Sequence, residues 1–126
     1  MKWNSTIEAV GPEAIDPKEN IIILFNETAT EDLKKVSVIQ KFDKDTTVSS
    51  FVLKKDDTVT IDGQTFLTLY VGPMVDMNMK AIGHATLVFT DEVPKHPLKN
   101  AIYLEKDEND PLPMVKVGDW ISYEHR

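Results

Sequence analysis

Ten short stretches of β-branched and aromatic residues, each closed off by turn formers, crowd into 126 residues. That density of strand-like segments predicts an all-β fold. The segments are Trp3–Val10, Ile21–Phe25, Val36–Phe42, Val48–Leu53, Thr58–Ile61, Phe66–Val71, His84–Thr90, Ala101–Leu104, Met114–Val117 and Trp120–Tyr123. Asp62-Gly63 between two of them is a hairpin signal, because glycine supplies the positive φ that a primed two-residue turn requires. Gly118-Asp119 is expected to turn the chain into the last strand. Two places break the pattern. Thr28-Ala29-Thr30-Glu31 has capping-box spacing and predicts one short helical turn through Leu33. Residues 73–82 read as a helix: Pro73 suits its first position, Met74, Met77 and Ala81 recur at helical spacing, and Gly83 suits the residue beyond its end.

So many strands must manage their edges. The expected architecture is a small barrel or barrel-like sandwich, spanning 1–126 as a single domain, with one short helix near 73–82. Closure would remove the sheet edges. An edge left open would make a homodimer by sheet extension or strand exchange reasonable.

The formal charge of -7 and the pI near 4.9 argue against nucleic acid or an anionic membrane as partner. The choice of cation says more. Arg126 is the one arginine among fourteen basic residues, so the body of the chain has no guanidinium for a bidentate grip on phosphate or guanine. Acidic character instead favours encounter with a basic protein, or simply maintains solubility. No run approaches the ~20 apolar residues of a membrane span, and Met1-Lys2-Trp3-Asn4-Ser5 leads straight into a strand pattern without a secretory signal. The chain has no cysteine. A cytoplasmic protein without direct membrane insertion is the expectation.

Histidine is the side chain to weigh first for nucleophilic or relay chemistry. Of the three histidines, His84 shares a strand face with Thr86 and Val88, while Ala85, Leu87 and Phe89 face the core, so its ring points outward or into a cleft. His96 belongs to a polar loop, and His125 to a chain end expected to be disordered and without a role. The carboxylate pairs Asp56-Asp57 and Asp107-Glu108 read as solvated charged turns. The spacing offers no metal site, and no phosphate-loop, dinucleotide or nucleophile-elbow motif is present. No cofactor is implied.

Asp32-Leu33, Ile39-Gln40 and Gly83-His84-Ala85-Thr86-Leu87-Val88-Phe89 keep an order and spacing that resembles the glucitol/sorbitol-specific IIA component of the bacterial sugar phosphotransferase system (PTS). Ala14-Ile15-Asp16 after Gly11, the apolar run Ile21–Phe25, Val71-Gly72 and Val117-Gly118-Asp119 extend the resemblance over most of the chain. It implies that family's β-barrel, and as partners the phosphocarrier HPr and a membrane permease carrying the IIB and IIC functions. The implied role is a phosphocarrier in sugar-alcohol uptake. In the family, Ile-His stands where this chain has Ile39-Gln40, and that histidine carries the phosphoryl group. A second histidine often found two positions later is Phe42 here.

A carboxamide nitrogen is delocalised into its carbonyl and cannot be the usual acceptor. Three readings follow. The chain is a working IIA component that uses His84; or it is a non-phosphorylatable homologue serving as a regulatory or interaction module; or it is a barrel that binds a small ligand between Trp3, Phe66, Tyr70 or Trp120.

Overall fold

A computed structural model describes residues 1–126. Eight strands form it: β1 (Lys2–Val10), β2 (Ile21–Phe25), β3 (Val38–Phe42), β4 (Thr58–Ile61), β5 (Gln64–Val71), β6 (Ala85–Thr90), β7 (Ala101–Glu105) and β8 (Trp120–Glu124). Helix α1 (Glu31–Lys35) joins β2 to β3, and α2 (Val75–Ile82) joins β5 to β6. The strands close in the order β1-β3-β2-β6-β7-β5-β4-β8. Pairing is antiparallel except between β2 and β3 and between β6 and β7, which are parallel. The circuit leaves no open edge for sheet extension, the condition on which a dimer of that kind depended.

Alternation along each strand fills the interior. Ile22 and Leu24, Val59 and Ile61, Ala85, Leu87 and Phe89, Ile102 and Leu104, and Ile121 and Tyr123 all point inward and are almost wholly buried. Outside the wall, Val88, Ala101 and Tyr103 form a second, smaller cluster, packed against by Ile21, Leu69, Tyr70 and Val93. Burial on both faces explains why β6 and β7 read as nearly continuous apolar runs, as parallel strands do. The Asp62-Gly63 hairpin forms as expected, with both residues at positive φ.

The helices differ in detail from the sequence expectation. The cap of α1 is Thr30, whose hydroxyl accepts from the Leu33 amide, while Thr28 bonds to the Asn26 side chain instead. α2 starts at Val75, after Pro73, and the residues that turn inward are Val75 and Met79. Met74, Met77 and Ala81, whose spacing marked the helix, lie on its solvent side.

Two expected strands do not form. Val48–Ser50 is a 3-10 turn, and the chain runs on through Phe51 and Leu53, which are buried without joining a ladder. Side chains take over the ladder's work there. The Trp3 indole donates to the Thr47 carbonyl at 3.1 Å, Leu53 N–H donates to the Asp76 carboxylate at 3.1 Å, and Lys54 N–H donates to Asp57 at 2.7 Å. Met114–Val117 is irregular and lies against the hairpin, with Met114 N–H donating to Asp62. No helix is long and apolar enough to cross a membrane.

Candidate functional site

The period of two along β3 carries Val38, Gln40 and Phe42 to the inner face of the barrel. Gln40 is fully buried there, under α2. Its Oε1 accepts from the Ser5 hydroxyl at 2.6 Å and from the Tyr123 hydroxyl at 2.7 Å. Its Nε2 donates to the Gly83 carbonyl at 2.9 Å and reaches the Met79 sulfur at 3.6 Å. Two donors and two acceptor lone pairs are all a carboxamide has, so every one is engaged. The Gly83 oxygen can only accept, which fixes which end of the amide faces it. Burial pushes the Tyr123 phenol far above its usual range, with the Gln40 and Ser5 hydrogen bonds pulling slightly the other way, so the hydroxyl stays protonated and donates.

His84 stands just before β6, on the far side of the Gly83 peptide. Gly83 ends α2 in the left-handed conformation, φ 60°, and a side chain there would meet the Asn26 Cβ at 2.8 Å. The His84 ring stacks on Phe25, with centroids 4.1 Å apart and planes inclined by 17°. Its Nδ1 lies 2.9 Å from the Leu24 carbonyl and its Nε2 3.0 Å from the Asn100 amide nitrogen. A carbonyl only accepts, so Nδ1 carries the hydrogen. Nε2 then keeps its lone pair and accepts from Asn100. His84 lies one residue before the strand expected to include it, and its ring is half-buried.

Gln40 and His84 therefore bracket one peptide, Gly83-His84, but do not touch. His96 is exposed in its loop, as expected. His125 is not the idle chain end that its position implied, since its Nδ1 lies 2.6 Å from Asp57 Oδ2. Asp57 itself, expected to be a solvated turn residue, is 4% exposed. Burial alone would raise its carboxyl. The His125 side chain together with the Lys54 and Arg126 amides outweighs that and holds it below the usual range. Asp57 and His125 are 68 residues apart, and nothing local in the sequence signals their meeting. The same is true of Asn100, Ser5 and Tyr123 as partners of His84 and Gln40.

The aromatic pocket does not form. Trp3 and Phe66 belong to the core, Tyr70 packs on the outer wall, and Trp120 is 52% exposed. One surface crevice of about 290 Å³ is lined in part by Asn20, Thr90, Lys106 and Asp110. It opens near Phe89 and Thr90, the opposite end of β6 from His84.

The chain is thus a closed eight-stranded barrel with a Gly-His step at the end of a short helix, and comparison with known proteins gives its family. The family model described as PTS system glucitol/sorbitol-specific IIA component matches residues 2–122. The crystal structure of a PTS system IIA component from Enterococcus faecalis V583 superposes with a TM-score of 0.84 at 32% identity, covering 95% of this chain and 98% of that one. No curated protein matches this chain. The chain belongs to the glucitol/sorbitol-specific IIA family of the phosphotransferase system.

Proposed function

We propose that this chain relays a phosphoryl group from HPr to the IIB domain of a sugar-alcohol permease, with Nε2 of His84 as the acceptor. The observation that carries the reading is the 2.9 Å contact of His84 Nδ1 with the Leu24 carbonyl, which can only accept: a neutral ring with its hydrogen held there presents an unprotonated Nε2. In the transfer, the Nε2 lone pair attacks phosphorus, the donor's nitrogen–phosphorus bond breaks, and the donor nitrogen keeps the electron pair. Asn100, which donates to Nε2 in the resting protein, has to swing aside and can then donate to a phosphoryl oxygen. The proton retained at Nδ1 leaves the phosphorylated ring cationic, and a cationic ring is a good leaving group for the onward step. The last carbonyls of α2, close to His84, disfavour a resident dianion and act in the same direction.

One observation favours a second reading, in which the chain docks with PTS proteins and does no chemistry. The residue at the position that the resemblance assigns to the acceptor is a neutral amide, buried and fully hydrogen-bonded. Incubation with phosphoenolpyruvate, enzyme I and HPr separates the two. An acid-labile adduct on His84, absent from His84→Ala, is expected for the relay. Binding to HPr or to the permease without any adduct would establish the docking module and refute the relay.

A further inference from the structure

Gln40 does more than fill the space left by a missing imidazole. It has no contact with solvent, its oxygen is clamped by two hydroxyls, and its one strong donor contact goes to the carbonyl of Gly83, the residue that carries His84. The Ser5 and Tyr123 hydroxyls anchor the amide to β1 and β8, on the opposite side of the barrel from β6. A peptide plane gripped at its oxygen has its N–H direction fixed as well. The N–H of the Gly83-His84 peptide points back to the Asn78 carbonyl at 3.3 Å. The left-handed Gly83 is held locally by its own N–H on the Met79 carbonyl and by the His84 N–H on Asn78, and across the barrel by the Gln40 amide on its carbonyl. From this anchored peptide the imidazole reaches over to β2, where it meets the Leu24 carbonyl and lies flat on Phe25.

We infer that Gln40 is a positioning residue for His84: its amide, braced by Ser5 and Tyr123, holds the Gly83-His84 peptide so that the imidazole keeps the Nδ1–H tautomer with Nε2 free to accept. The amide suits this task better than a histidine would. A neutral imidazole has one acceptor nitrogen, so it could not take both hydroxyls at once and also donate to Gly83 with equal geometry. The position the family uses for chemistry is in this chain a brace for the neighbouring histidine. This inference rests on His84 being the acceptor for its functional meaning, but its structural content stands apart from whether phosphorus is transferred.

The test reads the His84 ring directly, by long-range proton–nitrogen NMR on the full chain labelled with nitrogen-15. Wild type is expected to show the Nδ1–H tautomer. Gln40→Met keeps the volume and removes the donor, and should raise the Nε2–H form or broaden the ring signals. Gln40→Glu should restore the wild-type pattern near neutral pH, because a carboxyl buried there stays protonated and donates to Gly83. A Gln40→Met spectrum identical to wild type at His84, or a Gln40→Glu spectrum as disturbed as that of Gln40→Met, would overturn the inference. If Gln40→Met fails to fold, Tyr123→Phe, which frees one lone pair of the amide, should produce a smaller shift in the same direction, and an unchanged ring would again overturn it. With the relay proteins present, Gln40→Met should form adduct about tenfold more slowly than wild type, as expected for a misplaced nucleophile. Wild type taking no phosphoryl group would refute the relay while leaving the NMR result to decide the role of Gln40.

Discussion

Replacing Gln40 by alanine perturbs a site where four hydrogen-bonding capacities are filled and no water has access. The Ser5 and Tyr123 hydroxyls can turn toward each other, which leaves one hydroxyl hydrogen and the Gly83 carbonyl unpaired, at about 1–2 kcal/mol each. The vacated volume adds on the order of 1 kcal/mol. The expected total is about 3–5 kcal/mol, a large part of the roughly 6–15 kcal/mol that holds a domain of this size together. At ~3–4 °C per kcal/mol for 126 residues, the melting temperature should fall by about 10–20 °C. Tyr123→Phe removes one of two donors to Oε1 and should cost only about 1 kcal/mol. The double variant should be more stable than the sum of the two losses by ~1 kcal/mol, because the bond to Gln40 Oε1 that Tyr123→Phe removes is already lost once Gln40 is gone. Urea unfolding of the four proteins measures this cycle. A Gln40→Ala cost below about 1 kcal/mol, or strict additivity, would refute the view of Gln40 as the centre of a buried network.

Other consequences follow from single contacts. Asp57 titrates below the ordinary carboxylate range when folded, so its hydrogen bonds contribute stability above about pH 4 and lose it as pH falls through the lower, folded value. Asp57→Asn should accordingly be destabilised by about 1.5–3 kcal/mol near neutrality, with the gap to wild type closing in acid; a constant gap from pH 7 to strongly acidic solution would contradict the assignment. Gly83→Ala forces a Cβ into the left-handed region and to within 2.8 Å of the Asn26 Cβ, and should cost at least about 1–2 kcal/mol by thermal melting; a neutral outcome would show that the α2 terminus relaxes freely. Trp3→Phe removes the indole donor to Thr47 and should increase amide exchange through Val48–Ser50 without changing exchange in β6; uniform change, or none, would assign the turn to other contacts.

Strand positions were legible wherever alternation and turn chemistry agreed, as in Thr58–Ile61 with its Asp62-Gly63 turn and in Ile21–Phe25. Val48–Leu53 misled because its apolar content is real and is partly buried, yet its Leu53 N–H is taken by Asp76 and its first residues form a 3-10 turn instead of a neighbouring strand. Helix spacing in 73–82 identified the element but not its buried face, since Met74 and Met77 keep to solvent while Val75 and Met79 turn in. The family motif brought Gln40 and His84 into view. Their partners were invisible, because Ser5, Tyr123 and Asn100 become neighbours only when the barrel closes, and the same closure joins Asp57 to His125.

The most direct test of the account is the site of phosphorylation after incubation with phosphoenolpyruvate, enzyme I and HPr, read by mass spectrometry under alkaline conditions that preserve nitrogen–phosphorus bonds. One phosphoryl group on His84, transferable to a permease IIB domain and absent from His84→Ala, is the expected result. A fully folded protein that binds HPr and acquires no phosphoryl group, or that carries one on any other residue, would contradict it.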